Sequence, residues 1–77
     1  MPSITVYSRP NCQPCKATKR QLDKLGADYT VIDVTEDEAA LEFIRGLGYL
    51  QAPVVVAGDH HWAGFSPDKL AWAAGEK

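Results

Sequence analysis

Cys12-Gln13-Pro14-Cys15 holds the only two cysteines of the chain. Two thiols separated by two residues can close a small disulfide ring and reopen it by exchange with another disulfide. That is the chemistry of a carrier that passes electron pairs to other proteins. The other use of a Cys-x-x-Cys pair is half of a zinc site. Zinc takes four ligands, and the chain offers only His60 and His61 as further candidates. Adjacent strand residues point to opposite faces, so the two seldom reach one metal. They read better as a solvent-facing and a core-facing residue of a hairpin, and no metal is expected.

An attacking thiol must be ionised. Cys12 falls at the mouth of a helix, where free N–H groups and the helix dipole favour an anion. Arg9 and Lys16 are sequence neighbours that add positive potential. Both effects lower a thiol pKa from its ordinary ~8.5. Cys12 is therefore assigned as the nucleophile. Cys15, one turn further in, is assigned as the resolving thiol.

The elements that must position this pair follow from pattern. Ser3 to Tyr7 alternates and is rich in β-branched residues, which predicts a strand. Ser8 to Asn11 is a turn. A helix runs from Cys12 or Gln13 to Leu25, with Pro14 in its first turn and Gly26 as its stop. The apolar run Tyr29 to Val34 predicts a strand covered on both faces. Thr35 to Glu38 has capping-box spacing, with Thr35 as the cap. Ala40, Phe43, Ile44 and Leu47 behind it define one buried helical face. Val54 to Ala57 and His60 to Ala63 form a hairpin about Gly58-Asp59. Ser66 and Pro67 open a last helix, with Leu70, Ala71, Ala73 and Ala74 as its packing face. The order β-α-β-α-β-β-α predicts an α/β fold with a four-stranded mixed sheet flanked by three helices.

Composition narrows the function classes. Seventy-seven residues, 45% of them hydrophobic, make one domain over residues 1–77 with one core. No apolar stretch approaches the ~20 residues of a membrane span. Met1-Pro2-Ser3-Ile4 lacks a basic n-region, so a cytoplasmic location is expected. In a reducing cytosol a Cys-x-x-Cys pair is catalytic or metal-binding rather than a structural staple. The net charge of −2 disfavours nucleic acid. It also hides an asymmetry: residues 1–26 carry five basic groups against one acid, and the remainder carries three against nine. The positive half is the half with the cysteines.

Other segments keep two readings. Pro53 before the third strand reads from the residues as a turn or edge-strand proline; the resemblance of this segment to thioredoxin-like folds implies instead a cis-proline beside the thiols, with Gln51 and Ala52 lining a peptide groove. Trp62, Gly64 and Phe65 form an aromatic-glycine cluster that serves core packing or partner docking. Tyr7 and Tyr49 are core or rim residues.

Three motifs, in order and at suitable spacing, resemble those of NrdH-redoxins. Tyr7-Ser8-Arg9-Pro10-x-Cys12-x-x-Cys15 looks like the active-site segment of glutaredoxin-like proteins. Leu47 to Val55 resembles the cis-proline segment of the family, and Trp62-Ala63-Gly64-Phe65-Ser66-Pro67-Asp68 is similar to its Trp-Ser-Gly-Phe-Arg-Pro-Asp motif. The resemblance implies a thioredoxin fold and a cis Pro53 that leaves the preceding backbone free to pair with an extended target. It implies reduction by thioredoxin reductase, fed by NADPH, and delivery of electrons to the large subunit of a class Ib ribonucleotide reductase. It implies a monomer with no bound cofactor beyond the Cys12–Cys15 dithiol.

The chain departs from that family in three places. Gln13-Pro14 replaces the usual Val-Gln or Met-Gln between the cysteines. A proline before the second cysteine also occurs in thioredoxins, and moves the expected potential toward the reducing end of the ~−270 to −200 mV range. Ala63 replaces the motif serine and Ser66 its arginine. The rival reading is a glutathione-dependent glutaredoxin or mycoredoxin-like protein. Arg9 suits glutathione, but Gln51-Ala52 does not match Thr-Val before the proline, and Phe65 breaks a glycine pair where glutathione would meet a helix. A glutathione-bridged iron–sulfur carrier is a further rival, disfavoured by the same losses.

Overall fold

The computed structural model describes residues 3–75. Its elements are β1 (Ile4–Ser8), α1 (Gln13–Lys24), β2 (Tyr29–Asp33), α2 (Glu38–Gly46), β3 (Val54–Ala57), β4 (His60–Ala63) and α3 (Pro67–Ala73). This is the predicted order, and the sheet runs β2-β1-β3-β4. β1 pairs parallel with β2, and antiparallel with β3, where Tyr7 faces Val54. β3 and β4 form the hairpin.

Each face of the sheet carries its own core. Ile4, Val6, Val55, Ala57 and Trp62 pack with Leu22 of α1 and with Leu70 and Ala73 of α3. Val54 on the opposite face packs with Val34 and with Ala40 and Ile44 of α2, joined by Tyr7 and Ile32. The α1/α3 side holds the larger set, and Leu22 and Leu70 are fully buried.

Several local expectations are corrected. β2 is an edge strand, and Thr30 and Val31 are exposed. An apolar run tells a strand that some face is covered, not where it sits in the sheet. The cap of α2 is Asp37, whose Oδ1 accepts from the Ala40 N–H at 3.0 Å. Thr35 instead gives its hydroxyl and its N–H to Asp33 Oδ1, at 2.6 and 2.8 Å. That side-chain turn competes for the same groups that a cap would use. Asp33, half-buried at the end of β2, has its carboxyl held below the ordinary range by these donors from Thr35. Phe43 is exposed on α2 and stacks at 5.6 Å on the Tyr7 ring. Ser66 occupies the cap position of α3 without making a side-chain cap bond.

Candidate active site

The turn after β1 delivers Cys12 to the start of α1. Asn11 takes a left-handed φ of 58°, a conformation that asparagine tolerates better than most residues. Cys12 then adopts extended backbone as the N-cap. Its Sγ accepts a hydrogen bond from the Cys15 N–H at 3.1 Å, and its carbonyl accepts from the Lys16 N–H. Cys12 and Cys15 are joined as a disulfide, with Cα atoms 5.2 Å apart.

The two sulfurs sit in different surroundings. Cys12 is partly exposed, whereas Cys15 is 1% exposed. One thiol can meet a second protein, and the other can meet only its neighbour. The helix N-terminus supplies N–H dipoles at Cys12, and no acid stands in the first turn of α1 to offset them. Thr18, fully buried in α1, donates its hydroxyl to the Pro14 carbonyl at 2.8 Å. It fixes the first turn from below. Sequence reading missed both Thr18 and Asn11. Thr18 sits four residues after Pro14, the spacing for such a back-bond, and Asn11 is the usual non-glycine choice for φ > 0.

Arg9 and Lys16 both lie on the surface close to the pair in the chain. The Ala52–Pro53 peptide bond is cis, and Pro53 is fully buried. The antiparallel register of β1 and β3 carries Pro53 to the level of Ser8, at the start of the active-site turn. Gln51 is exposed and Ala52 partly so. Gly64 ties the next motif to this place: its N–H donates to the Pro53 carbonyl at 2.8 Å, and its φ of 85° suits glycine.

Of the aromatic cluster, Trp62 is 5% exposed and packs in the core, while Phe65 is 44% exposed. Trp62 Nε1 is buried without a hydrogen-bond partner among the described residues, and Lys69 Nζ sits 5.8 Å from the ring centroid. The histidine expectation is corrected, because both are exposed. His60 meets Trp72 edge to face at 4.7 Å, and His61 Nδ1 shares a 2.7 Å hydrogen bond with the Tyr49 hydroxyl. Alternation sends them to opposite faces of β4. Among the described residues no three His, Cys, Asp or Glu side chains converge on a metal position.

A comparison with known proteins gives one answer. The glutaredoxin family model matches residues 4–62. The chain is 45% identical over 67 residues to the glutaredoxin-like protein NrdH of Escherichia coli, spanning 87% of this chain and 83% of that protein. It is 34% identical over 68 residues to the NrdH of Lactococcus lactis, spanning 88% and 94%. The solved structure of the Escherichia coli NrdH-redoxin, a glutaredoxin-like protein with a thioredoxin-like activity profile, matches with a TM-score of 0.88 at 43% identity. That match covers 91% of this chain and 92% of the other. Sequence, fold and the paired cysteines agree: the chain belongs to the glutaredoxin family, in its NrdH branch of glutaredoxin-like thiol–disulfide oxidoreductases.

Proposed function

We propose that this protein carries electrons from NADPH, through thioredoxin reductase, to disulfides of other proteins, with a class Ib ribonucleotide reductase large subunit as the principal target. The observation that carries the exchange mechanism is the unequal burial of the two sulfurs. Cys12 is the partly exposed N-cap whose sulfur already accepts an N–H, and Cys15 is shut inside.

The cycle has two halves. The Cys12 thiolate attacks one sulfur of the target disulfide, forms a mixed disulfide and expels the other sulfur as a thiolate, which takes a proton. Cys15 then loses its proton and attacks Cys12, and the second target thiolate leaves and is protonated. The target gains two electrons and two protons, and the Cys12–Cys15 disulfide is left behind. A reductase returns the electron pair. The dithiol is the redox centre, so no bound cofactor is required. Arg9 and Lys16 favour the thiolate form of Cys12. Gln51, Ala52 and cis Pro53 offer backbone for strand addition by an extended target, and Gly64 and Phe65 form the rim that a partner meets.

The choice of thioredoxin reductase rests on the NrdH relationship and on the thioredoxin-like activity profile of the Escherichia coli relative. Exposed Phe65, where glutathione's γ-glutamyl end would meet a helix N-terminus, argues the same way. The deciding experiment follows NADPH oxidation by the oxidised protein in two coupled assays. One contains thioredoxin reductase; the other contains glutathione and glutathione reductase. Turnover with thioredoxin reductase alone is expected. Turnover with glutathione alone would establish the glutathione-dependent reading instead. Capture by a Cys15→Ser trap then tests the target: an adduct with the purified large subunit is expected, and none would remove it.

A further inference from the structure

The loop between α2 and β3 carries Gln51 and Ala52, the backbone along which a target strand would add. Main-chain bonds fasten its two ends. The N–H groups of Gly48 and Tyr49 donate to the carbonyls of Arg45 and Ile44 at 2.9 and 3.1 Å, and the Pro53 carbonyl accepts from Gly64 at 2.8 Å. Between these ends Leu50 is 85% exposed, and Gln51 is exposed as well. A segment so open to water has few packed contacts to hold one conformation. Tyr49 reaches out of it to the sheet. Its hydroxyl shares a 2.7 Å hydrogen bond with His61 Nδ1, and the two rings meet edge to face at 5.5 Å with planes at 79°. The Tyr49 ring also packs on the core of Val34, Ala40, Ile44 and Val54. His61 stands opposite Val56 on the edge strand β4, so the contact ties the loop to the far side of the sheet.

Tyr49 is two residues before Gln51 and four before the cis Pro53. A target strand pairs with this backbone only when the backbone is held at strand spacing, and freedom that must be frozen at binding costs affinity. A loop held beforehand loses less. Neither Tyr49 nor His61 belongs to the reacting groups, which are Cys12, Cys15 and the target sulfurs. Resting on the exchange reading above, we infer that Tyr49 and His61 are a positioning pair that holds the proline loop in the form an extended target strand accepts. The pair therefore acts on disulfides embedded in a peptide and leaves small disulfides untouched.

The test offers two substrates to the reduced full-length protein. One is a blocked, uncharged peptide of valine and threonine around a single cysteine held as a pyridyl disulfide. The other is hydroxyethyl pyridyl disulfide, which has no backbone to pair. In both, the Cys12 thiolate bonds to the sulfur on the aliphatic side and expels pyridinethiolate, which takes a proton and is followed by absorbance as pyridinethione. The readout is the ratio of second-order rate constants, peptide over small disulfide. A change in Cys12 ionisation or in the folded fraction acts on both substrates alike and cancels, so a merely structural role would leave the ratio unmoved. Tyr49→Phe keeps the ring on its core and removes the hydroxyl; His61→Ala removes the other partner. Each should lower the ratio about three- to ten-fold, the scale of one net hydrogen bond. His61→Asn puts an amide that can donate or accept where Nδ1 stood, and should recover most of the ratio. Tyr49→Phe combined with His61→Ala should be no worse than His61→Ala alone. An unchanged ratio in either single variant would overturn the proposal alone, because a pair fails whichever member is lost. A His61→Asn protein no better than His61→Ala would overturn it too. No pyridinethione released from either substrate by the wild type would overturn the exchange reading, and this proposal with it.

Discussion

The main-chain N–H of Cys15 donates to Sγ of Cys12 across 3.1 Å. The donor belongs to the backbone, so it stays in place whatever the Cys15 side chain becomes. A hydrogen bond to the charged form favours that form, so this contact keeps serving a Cys12 thiolate once the disulfide opens. Attack and resolution are thereby separable. Cys15→Ser should keep the first step and lose the second, accumulating a one-to-one mixed disulfide visible by mass spectrometry. Cys12→Ser should give no adduct and no reduction. Normal turnover by Cys15→Ser would reverse the two assignments.

Lys16 extends the electrostatic argument. It is exposed in the first turn of α1, four residues beyond Cys12. Replacing its positive charge by a negative one opposes a thiolate at the helix mouth. Lys16→Glu should move the Cys12 thiolate titration to higher pH and slow attack near neutrality by several-fold, a scale set by partly exposed charges. The ultraviolet absorbance of the thiolate against pH reports the midpoint. A midpoint unchanged from the wild type would remove Lys16 from the tuning groups.

The cap of α2 separates two residues that look alike in the sequence. Asp37 accepts from Ala40, whereas Thr35 is engaged with Asp33. Asp37→Ala should cost ~1 kcal/mol, the usual value for a lost cap. Thr35→Ala removes only the hydroxyl donor to Asp33, so its cost should appear at neutral pH and fade as the pH falls. Its donors depress the Asp33 carboxyl, so their stabilisation is present above the ordinary carboxylate pKa and is lost as pH falls through the lowered value. Urea midpoints of both variants at pH 7 and at low pH distinguish the roles. An Asp37→Ala protein as stable as wild type would return the cap to Thr35.

That comparison shows why some features could be read from the chain and others not. The seven elements follow from local signals: Pro14 and Pro67 just inside helix starts, Gly26 past an end, Gly58-Asp59 between strands. The cysteine pair, its helix mouth and the cis-proline segment are contiguous motifs and were equally legible. Which of Asp33, Thr35 and Asp37 caps α2 was not, because all three carry an oxygen that can accept and Thr35 turned out to be engaged with Asp33. The edge position of β2 was hidden because strand order is set by long-range pairing. The Tyr49–His61 bond joins residues far apart in sequence. No spacing rule announces it before the sheet brings β4 beside the proline loop.

The Tyr29 hydroxyl donates to Asp23 Oδ1 at 2.7 Å, tying the edge strand β2 to the last turn of α1. Burial first, and then the Asp23 carboxylate, hold the Tyr29 phenol above its ordinary value of 10.0. Tyr7 is raised in the same direction, by burial and then by Asp37. A phenol that binds its proton more tightly when folded contributes stability that is complete below pH 10. That contribution is lost as pH rises through the folded value. The protein should therefore lose stability above about pH 10. Tyr29→Phe should cost ~0.5–1 kcal/mol at pH 7, the net value of one hydrogen bond. It should also flatten the alkaline decline without abolishing it, because Tyr7 remains. Urea unfolding across pH 7 to 11 measures both effects. A Tyr29→Phe protein whose stability falls as steeply as the wild type would show that the alkaline response comes from elsewhere.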